Sequence, residues 1–247
     1  MTQRHILLLG GTGLSGIEFI KHALKQPTPP LLTLLVRKGS KSKLPTEALE
    51  HGSVKIVEGA LDDIATLNQA LAVPEDTNQP SVTVVISFLG AYMALKPIIT
   101  RDKSHPIANA FESTILPAMK SNGVSRIIAL STPTGCYSSA EAKSITWKWW
   151  FYTWMPALLA PQGNAEMAGI ANAIISAGHN DKDLEWTVFR VPHLTQGGTP
   201  TTQVLAGHLD REFAGSLDLA RSSLARWVWT ELDEKAWLRA TPLLANP

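Results

Sequence analysis

The sequence is poor in cysteine and in charge. Cys136 is the only cysteine among 247 residues, which excludes an internal disulfide and indicates a reducing compartment. Charged residues make up 17% of the chain and the formal net charge is +1; because no stripe of lysine and arginine occurs, no nucleic-acid partner is expected. The sequence has no run of 18 apolar residues, so no transmembrane helix is predicted. The apolar stretch near Met1 is too short for a signal peptide. We therefore expect a cytoplasmic globular protein without a metal site.

Short apolar runs alternate with longer segments of helical spacing, a pattern typical of βαβ units. The runs are continuously apolar, as in parallel strands that are buried on both faces. Strands are predicted at Ile6–Leu9, Leu31–Val36, Val54–Val57, Val82–Ser87, Ile127–Leu130 and Trp186–Arg190. Helices are predicted over Leu14–Leu24, Asp63–Leu71, Pro106–Lys120, Ala165–Ser176 and Leu219–Leu232. The expected fold class is α/β, a Rossmann-type doubly wound parallel sheet, in a single domain over residues 1–247.

The first predicted strand–helix turn, GGTGLSG, carries glycine at positions 10, 13 and 16. In a dinucleotide site one glycine permits the tight turn, one lets the backbone approach the pyrophosphate, and one lets the helix pack closely on the strand. The amino terminus of the following helix offers N–H groups and a positive dipole end to the phosphates. An ordinary tight turn is the alternative interpretation. The predicted cofactor contacts here are Gly10, Thr12, Gly13, Leu14, Ser15 and Gly16.

The end of the second strand indicates which dinucleotide binds. A site that prefers NAD places Asp or Glu there for the ribose 2′-hydroxyl, whereas a basic residue suits the 2′-phosphate of NADP. This strand is followed by Arg37 and Lys38; Arg37 offers a planar fork to a phosphate, and Lys38 offers a second charge. NADP(H) is thus the predicted cofactor, and an ordinary solvated basic loop is the alternative.

Two further strand ends are predicted to contact the cofactor. After the third strand, Leu61 and Asp62 are predicted to contact the adenine. The Asp62 carboxylate could accept a hydrogen bond from the adenine amino group, could cap the next helix, or could do both. The fourth strand ends at the edge of the sheet where the ligand crevice is expected. The contacting residues there would be Ser87, Phe88, Leu89 and Gly90.

Six segments, in order along the chain, resemble the atypical short-chain dehydrogenase/reductases, and among them the NAD(P)H-binding, NmrA-like branch. These segments are GGTGLSG, LLVRKGSK, GALDD, GVSRIIALST, LEWTVFRVP and LARSSLARW. The resemblance spans nearly the whole chain and implies the strand order 3-2-1-4-5-6. It also implies NADP bound across the sheet edge, with Ser131 and Pro192 among its contacts. A small carboxyl-terminal extension would bind the substrate, with pocket elements mainly within residues 133–161 and 191–247.

Only some of the catalytic residues of that family have counterparts in this sequence. In its active reductases a serine follows strand five, and a tyrosine lies four residues before a lysine that lowers the tyrosine pKa for proton transfer. Ser131 takes the serine position, but Leu158 and Gln162 stand where the resemblance places the tyrosine and the lysine. Tyr137 and Lys143 are the remaining candidates, although residues six apart do not share one helical face. Otherwise Tyr137 lines the pocket and Lys143 is solvated.

Half of the eight tryptophans fall within one stretch of ten residues, Trp147–Pro156. Because ligand pockets favour aromatic lining, the stretch predicts an aromatic wall for a flat or apolar substrate. A homodimer face or a core-packing insertion is an equal alternative, and contact with a membrane surface is a third. The predicted pocket residues are Trp149, Trp150, Tyr152 and Trp154, together with His193.

Pro192 and His193 follow the sixth strand, where this fold covers the nicotinamide, and His193 is a candidate proton donor near pH 7. A loop histidine without a role is the alternative. The predicted function is an NADP(H)-dependent oxidoreductase that acts on a small, largely apolar or aromatic metabolite. Specialised metabolism is one setting for such an enzyme. Such an enzyme supplies mainly proximity and orientation, and His193, Tyr137, water or the substrate would provide the proton. A cyclase or isomerase with structural NADP, and a non-catalytic NmrA-like sensor, stay open as alternatives.

Overall fold

The apolar runs of the sequence form a mostly parallel sheet at the centre of the structure. The structure is a computed structural model and describes residues 3–72, 80–90, 105–135, 139–197 and 203–247. Eight of its strands form one sheet in the order β3-β2-β1-β4-β5-β6-β10-β8, and β7 and β9 form a second, two-stranded sheet. The strands are β1 His5–Leu9, β2 Leu31–Val36, β3 Val54–Glu58, β4 Val84–Ser87, β5 Arg126–Ser131, β6 Glu185–Arg190, β7 His193–Thr195, β8 Leu205–Gly207, β9 Asp218–Ala220 and β10 Leu243–Ala245.

The central position of β1 explains why its sequence is apolar. β1 pairs in parallel with β2 on one side and with β4 on the other, and its residues Ile6, Leu7, Leu8 and Leu9 are completely buried. Strands β1 to β6 run parallel to their neighbours, so the predicted order 3-2-1-4-5-6 is confirmed. The sheet continues past β6 with β10 and the antiparallel β8, two short strands that the sequence pattern did not predict.

Helices flank the sheet and connect its strands. They are α1 Leu14–Leu24, α2 Thr46–Glu50, α3 Ile64–Leu71, α4 Pro106–Ala110, α5 Leu116–Ser121, α6 Ser139–Ser144, α7 Trp147–Leu159, α8 Pro161–Asn180 and α9 Arg221–Glu234. A π-helical segment, Phe111–Ile115, joins α4 to α5, so the predicted helix in this region is continuous. No helix within the described ranges is long and apolar enough to cross a membrane.

The last helix begins later than the sequence predicts. Leu219 and Ala220 belong to β9 instead, because Leu219 pairs with Leu194 of β7, and the helix starts at Arg221. The opposite error applies to α8, which starts earlier than predicted. Pro161 lies in its first turn, where proline is well tolerated because the N–H that it lacks would have no intrahelical partner.

A buried ion pair joins α6 to the carboxyl end of β6. Arg190, the last residue of β6, is completely buried, and its Nη2 atom lies 2.6 Å from Oε1 of Glu141. The same carboxylate oxygen accepts a hydrogen bond from the Leu209 N–H at 2.7 Å. The guanidinium Nε–H donates to the Thr241 carbonyl oxygen at 2.8 Å. Segments from both sides of β6 are therefore fastened at the sheet edge where the site residues converge.

Candidate functional site

The first βα turn brings the backbone so close to its neighbours that only glycine fits. Gly10 has φ +81°, and a Cβ at this position would lie 2.7 Å from the carbonyl carbon of Phe88. A Cβ on Gly16 would overlap the Gly10 carbonyl oxygen. Positive φ disfavours L side chains. The close packing of α1 on β1 and β4 therefore requires glycine at positions 10 and 16.

Helix α1 presents its amino terminus at this turn. The Gly13 N–H donates to the Gly10 carbonyl oxygen at 3.0 Å, and no side chain caps the helix at Gly13. The first turn of α1 also carries no acidic residue. Because the first N–H groups of a helix lack intrahelical partners, this end attracts anions. The N–H groups of Leu14, Ser15 and Gly16 are thus suited to a pyrophosphate.

A cavity of about 380 Å³ opens beside the turn, where β1, β2, β3 and β4 end. It is also lined by Ser40 and Lys43, which sequence reasoning missed because they lie in the loop and 3₁₀ turn beyond the end of β2. The structure thus brings seven of the sixteen residues predicted to contact the cofactor into the lining of one cavity. The predicted residues that line the cavity are Gly10, Thr12, Arg37, Leu61, Phe88, Leu89 and Gly90.

The loop after β2 supplies the positive charge of this cavity. Arg37 and Lys43 line it, whereas Lys38 is exposed and does not. Glu58, at the end of β3, accepts a hydrogen bond from the Gly39 N–H at 3.1 Å, which fastens the loop to the sheet. The second cation of the cavity is therefore Lys43, in place of the predicted Lys38.

Two predicted cofactor residues have different local roles. Asp63, rather than Asp62, caps α3, because its carboxylate accepts a hydrogen bond from the Ala65 N–H at 3.0 Å. Asp62 is exposed, so the interpretation of Asp62 as a helix cap is wrong. Ser87 is buried, and its hydroxyl oxygen accepts from the Leu89 N–H at 3.2 Å. Ser87 therefore shapes the loop that lines the cavity.

Ser131 makes a hydrogen bond inside the protein core. It ends β5, is completely buried, and donates its hydroxyl to the carbonyl oxygen of Met167 in α8 at 3.0 Å. A Cβ on Gly135 would overlap the Ser131 hydroxyl, so the loop after β5 passes directly over it. In this arrangement the Ser131 hydroxyl holds α8 against β5.

The other predicted catalytic residues do not form one cluster with Ser131 in the described ranges. Tyr137 lies outside the described residues. Lys143 is exposed near the end of α6. Gln162 lies in the first turn of α8.

A histidine–aspartate pair lies just beyond the end of β6. His193 begins β7, in register with Asp218 at the start of β9, and its Nδ1 atom lies 2.8 Å from Oδ1 of Asp218. Both side chains are more than half exposed. The Val191 N–H donates to the Ser131 carbonyl oxygen at 3.1 Å. Pro192, the residue between Val191 and His193 in sequence, is buried. Asp218 thus orients the imidazole at the end of β5 and β6, with Nε2 left for another partner.

Tyr152 of α7 lies near this pair. Burial raises the pKa of Tyr152 to about 12, and the negative charge of Asp218 acts in the same direction. The Tyr152 ring packs edge-on against Trp149, with 5.7 Å between centroids. Its phenol therefore stays protonated near neutral pH. Sequence reasoning missed Asp218, since the apolar spacing that follows it predicted the start of a helix.

Helix α7 divides the predicted aromatic wall between two faces. Trp149 is 1% exposed and packs in a small apolar cluster with Leu209, and Tyr152 contacts it. Trp150 and Trp154 are 54% and 57% exposed and stack on each other, with 6.1 Å between centroids. The prediction of one wall is therefore wrong, because a helix places residues 149 and 150 on different sides.

A larger cavity, of about 720 Å³, lies between α5 and α8 near the amino ends of β5 and β6. Its lining includes Met119, Ala173 and Leu184, and none of the predicted site residues. Among the described residues, no group of three or more His, Cys, Asp or Glu is placed to hold a metal ion. The cavity at the first βα turn is therefore the candidate site.

The model of the NAD(P)H-binding family matches residues 10–235, from the glycine of the first βα turn to the end of α9. The chain belongs to the NAD(P)H-binding family. No curated protein sequence matches the chain significantly.

Solved structures of NAD(P)H-binding proteins share this fold at low sequence identity. A wide-type short-chain dehydrogenase/reductase from Veillonella parvula, in complex with NADP, is 18% identical, with a TM-score of 0.70 over 99% of this chain and 95% of that one. ChuY, an anaerobillin reductase from Escherichia coli O157:H7, is 18% identical, with a TM-score of 0.67 over 98% and 97%. The oxidoreductase ylbE from Lactococcus lactis is 16% identical, with a TM-score of 0.67 over 98% and 91%. The predicted fold class and the predicted resemblance to short-chain dehydrogenase/reductases are confirmed.

Proposed function

We propose that the chain is an NADP(H)-dependent oxidoreductase that acts on a small, largely apolar metabolite. The observation that carries the proposal is the cavity at the first βα turn, which Arg37 and Lys43 line and to which no acidic residue contributes among the residues that the structure describes. A site for NAD would place a carboxylate there to bind the ribose. Two cations and the Ser40 hydroxyl instead match the charge and hydrogen-bonding needs of a 2′-phosphate.

Other residues of the cavity, and residues close to it in the fold, fit the same cofactor. The amino terminus of α1 would bind the pyrophosphate, and Leu61 would contact the adenine. Leu89, Gly90 and Pro192 would flank the nicotinamide, which supplies or accepts a hydride when the cofactor is bound. Because Gly10 has no side chain, its backbone lies directly against the Phe88 backbone, and no side chain at this position would obstruct the pyrophosphate.

Hydride transfer to a carbonyl or an imine also requires a proton, and we assign its delivery to His193. Asp218 accepts a hydrogen bond from Nδ1–H of His193 at 2.8 Å, which would leave Nε2 as the nitrogen that meets the substrate. Tyr152, whose phenol is protonated and whose pKa is raised by burial, can donate a hydrogen bond to a substrate oxygen. Neither role needs the tyrosine–lysine pair of the family.

An apolar substrate is supported by the surroundings of this pair. Tyr152, Phe213 and Leu217 are partly buried apolar side chains that pack around Trp149. The Leu217 carbonyl oxygen accepts the His193 N–H at 3.0 Å, so this apolar cluster adjoins the proposed proton donor. Apolar walls with few polar groups are typical of small-molecule sites.

The cofactor assignment is tested by titrating NADPH and NADH against intrinsic tryptophan fluorescence. We expect NADPH to bind at least about tenfold more tightly than NADH, because only NADPH has the phosphate that pairs with Arg37. Arg37→Ala should reduce this ratio while leaving NADH affinity nearly unchanged. Equal affinity of the wild-type protein for both nucleotides would refute the NADP preference.

A non-catalytic dinucleotide sensor is the second candidate function. The buried hydrogen bond from Ser131 to Met167 favours it, since the serine of an active reductase would face the substrate. Incubation with NADPH and a panel of apolar carbonyl and imine compounds, followed at 340 nm, separates the two functions. Turnover supports the oxidoreductase; tight NADPH binding without turnover across the panel supports the sensor, or a cyclase or isomerase with structural NADP.

A further inference from the structure

Four large aromatic side chains project from one face of α7. Trp147, Trp150, Phe151 and Trp154 are 83%, 54%, 55% and 57% exposed. Their spacing of three, four and seven residues places them on one side of the helix. The other exposed large apolar residues of the described chain lie singly on different elements: Leu14, Leu49, Ile64 and Leu238. We call the four side chains on α7 the aromatic face.

The opposite side of α7 holds the aromatic face in a fixed position. Trp149 is completely enclosed and packs edge-on against Phe213, with 5.8 Å between centroids. Thr153 is also buried. Because the inner side of the helix is packed into the protein, the outer side chains cannot turn inward to escape water. Contiguous exposed apolar area of this kind marks a surface that contacts a partner or a membrane.

The exposed charge within the α6–α7 segment is positive. Between residues 139 and 159 the charged residues are Glu141, Lys143 and Lys148. Lys143 and Lys148 are exposed, whereas Glu141 is buried in its ion pair with Arg190. The α6–α7 segment therefore offers aromatic rings and two cations to the outside, and no exposed carboxylate.

We infer that the aromatic face docks on a membrane surface that contains anionic lipid. Tryptophan rings favour the boundary between headgroups and acyl chains, and flanking lysines attract anionic headgroups. A second copy of the chain fits less well, because a twofold contact through this face would bring the lysines of both copies together. The four rings also expose only on the order of 500 Å², whereas a standard interface buries about 800 Å² of each partner.

Vesicle sedimentation of the whole 247-residue chain tests this inference. We expect binding to vesicles of phosphatidylcholine and phosphatidylglycerol, weaker binding to phosphatidylcholine alone, and quenching of tryptophan fluorescence by brominated lipid. Trp150→Ala/Trp154→Ala should weaken binding by at least about tenfold, because it removes the inserted rings. Lys148→Glu keeps the rings and should abolish the preference for anionic vesicles.

Controls separate loss of docking from loss of folding or of cofactor binding. Leu49→Ala/Ile64→Ala removes exposed apolar area elsewhere and should leave vesicle binding unchanged. NADPH affinity should be the same in all variants, since none of these residues lines the cofactor cavity. The inference is overturned if the wild-type protein ignores anionic vesicles. It is also overturned if the wild-type protein is a dimer that Trp150→Ala/Trp154→Ala converts to a monomer without any vesicle binding.

Discussion

The carboxylate of Glu141 lies 2.6 Å from the completely buried guanidinium of Arg190, although 49 residues separate the two in sequence. Arg190 ends β6, two residues before Pro192, and Glu141 belongs to α6, immediately before the aromatic helix α7. The ion pair therefore fixes the segment that carries Tyr152 relative to the strand that leads to His193. Buried pairs of this kind position elements at least as much as they stabilise them.

Removing one partner of this pair should destabilise the protein strongly. Glu141→Gln leaves the guanidinium buried without its counter-charge, which costs about 3 kcal/mol of the free energy of unfolding. Urea denaturation followed by circular dichroism measures the loss. Glu50→Gln, at an exposed position on α2, should change stability by less than about 0.5 kcal/mol.

The double variant Glu141→Leu/Arg190→Met should be more stable than Glu141→Gln, because neither charge is then buried alone. A double variant less stable than Glu141→Gln would show that the hydrogen bonds to Leu209 and Thr241, rather than the charges, hold the cluster together.

Gly16→Ala should weaken both folding and NADPH binding. The added methyl group would overlap the Gly10 carbonyl oxygen, so α1 must move away from the turn that holds the pyrophosphate. We expect at least about a tenfold rise in the Kd for NADPH and a loss of about 2 kcal/mol in stability. Gly52→Ala is the matched control, since a Cβ there meets nothing within 4 Å. Unchanged NADPH affinity in Gly16→Ala would contradict the assigned position of the pyrophosphate.

Lys43→Ala and Lys38→Ala should differ in their effect on nucleotide binding. Lys43 lines the cofactor cavity and Lys38 does not. Loss of one charge contact to the 2′-phosphate should weaken NADPH binding by about tenfold, and NADH binding should not change. Lys38→Ala should stay within about twofold of the wild-type protein. Fluorescence titration at low and high salt measures both, and the reverse order of effects would restore Lys38 to the site.

The sequence predicts the amino-terminal sheet well because its signals are local. α1 and β2 have the predicted bounds, since continuous apolar runs and a glycine-rich turn specify them without help from distant residues. β8, β9 and β10 are three residues each, and pairing partners far along the chain define them. The assignment of Leu219 to a helix failed for this reason.

The residues of the candidate site also divide into those that the sequence pattern predicts and those that it does not. Gly10, Arg37 and Gly90 follow strand ends, and the topology of a parallel sheet brings such positions to one edge. Lys43 reaches the cavity through a 3₁₀ turn, and Asp218 meets His193 through a two-stranded sheet. Neither contact has a periodic signal in the sequence. Helical spacing could have separated Trp149 from Trp150, because a helical assignment of this stretch alone places them on different sides.

Stability should fall at high pH through Tyr152. Its pKa is raised to about 12 in the folded protein, whereas an unfolded tyrosine ionises near pH 10. The stability linked to the neutral Tyr152 phenol is therefore fully present below pH 10. It is lost as the pH rises through 12, which lowers the free energy of unfolding by up to roughly 2 kcal/mol. Urea midpoints between pH 9 and 12 should decline less in Tyr152→Phe than in the wild-type protein. Identical slopes, with no late-titrating tyrosine absorbance at 295 nm, would contradict the burial of this phenol.

Asp218→Asn should lower turnover without affecting cofactor affinity. The carboxylate orients the His193 imidazole through Nδ1, and an amide can present its NH₂ group to the ring and favour the wrong tautomer. With a substrate identified from the NADPH panel, we expect kcat to fall by about tenfold or more and the Kd for NADPH to stay constant. His193→Gln should cause a similar loss, and the double variant should lose little more than either single variant, since the two residues act as one unit. Asp183→Asn, at the opposite edge of the sheet, is the control. The kcat profile against pH should change shape in Asp218→Asn, whereas a purely structural carboxylate would lower stability and leave that profile unchanged.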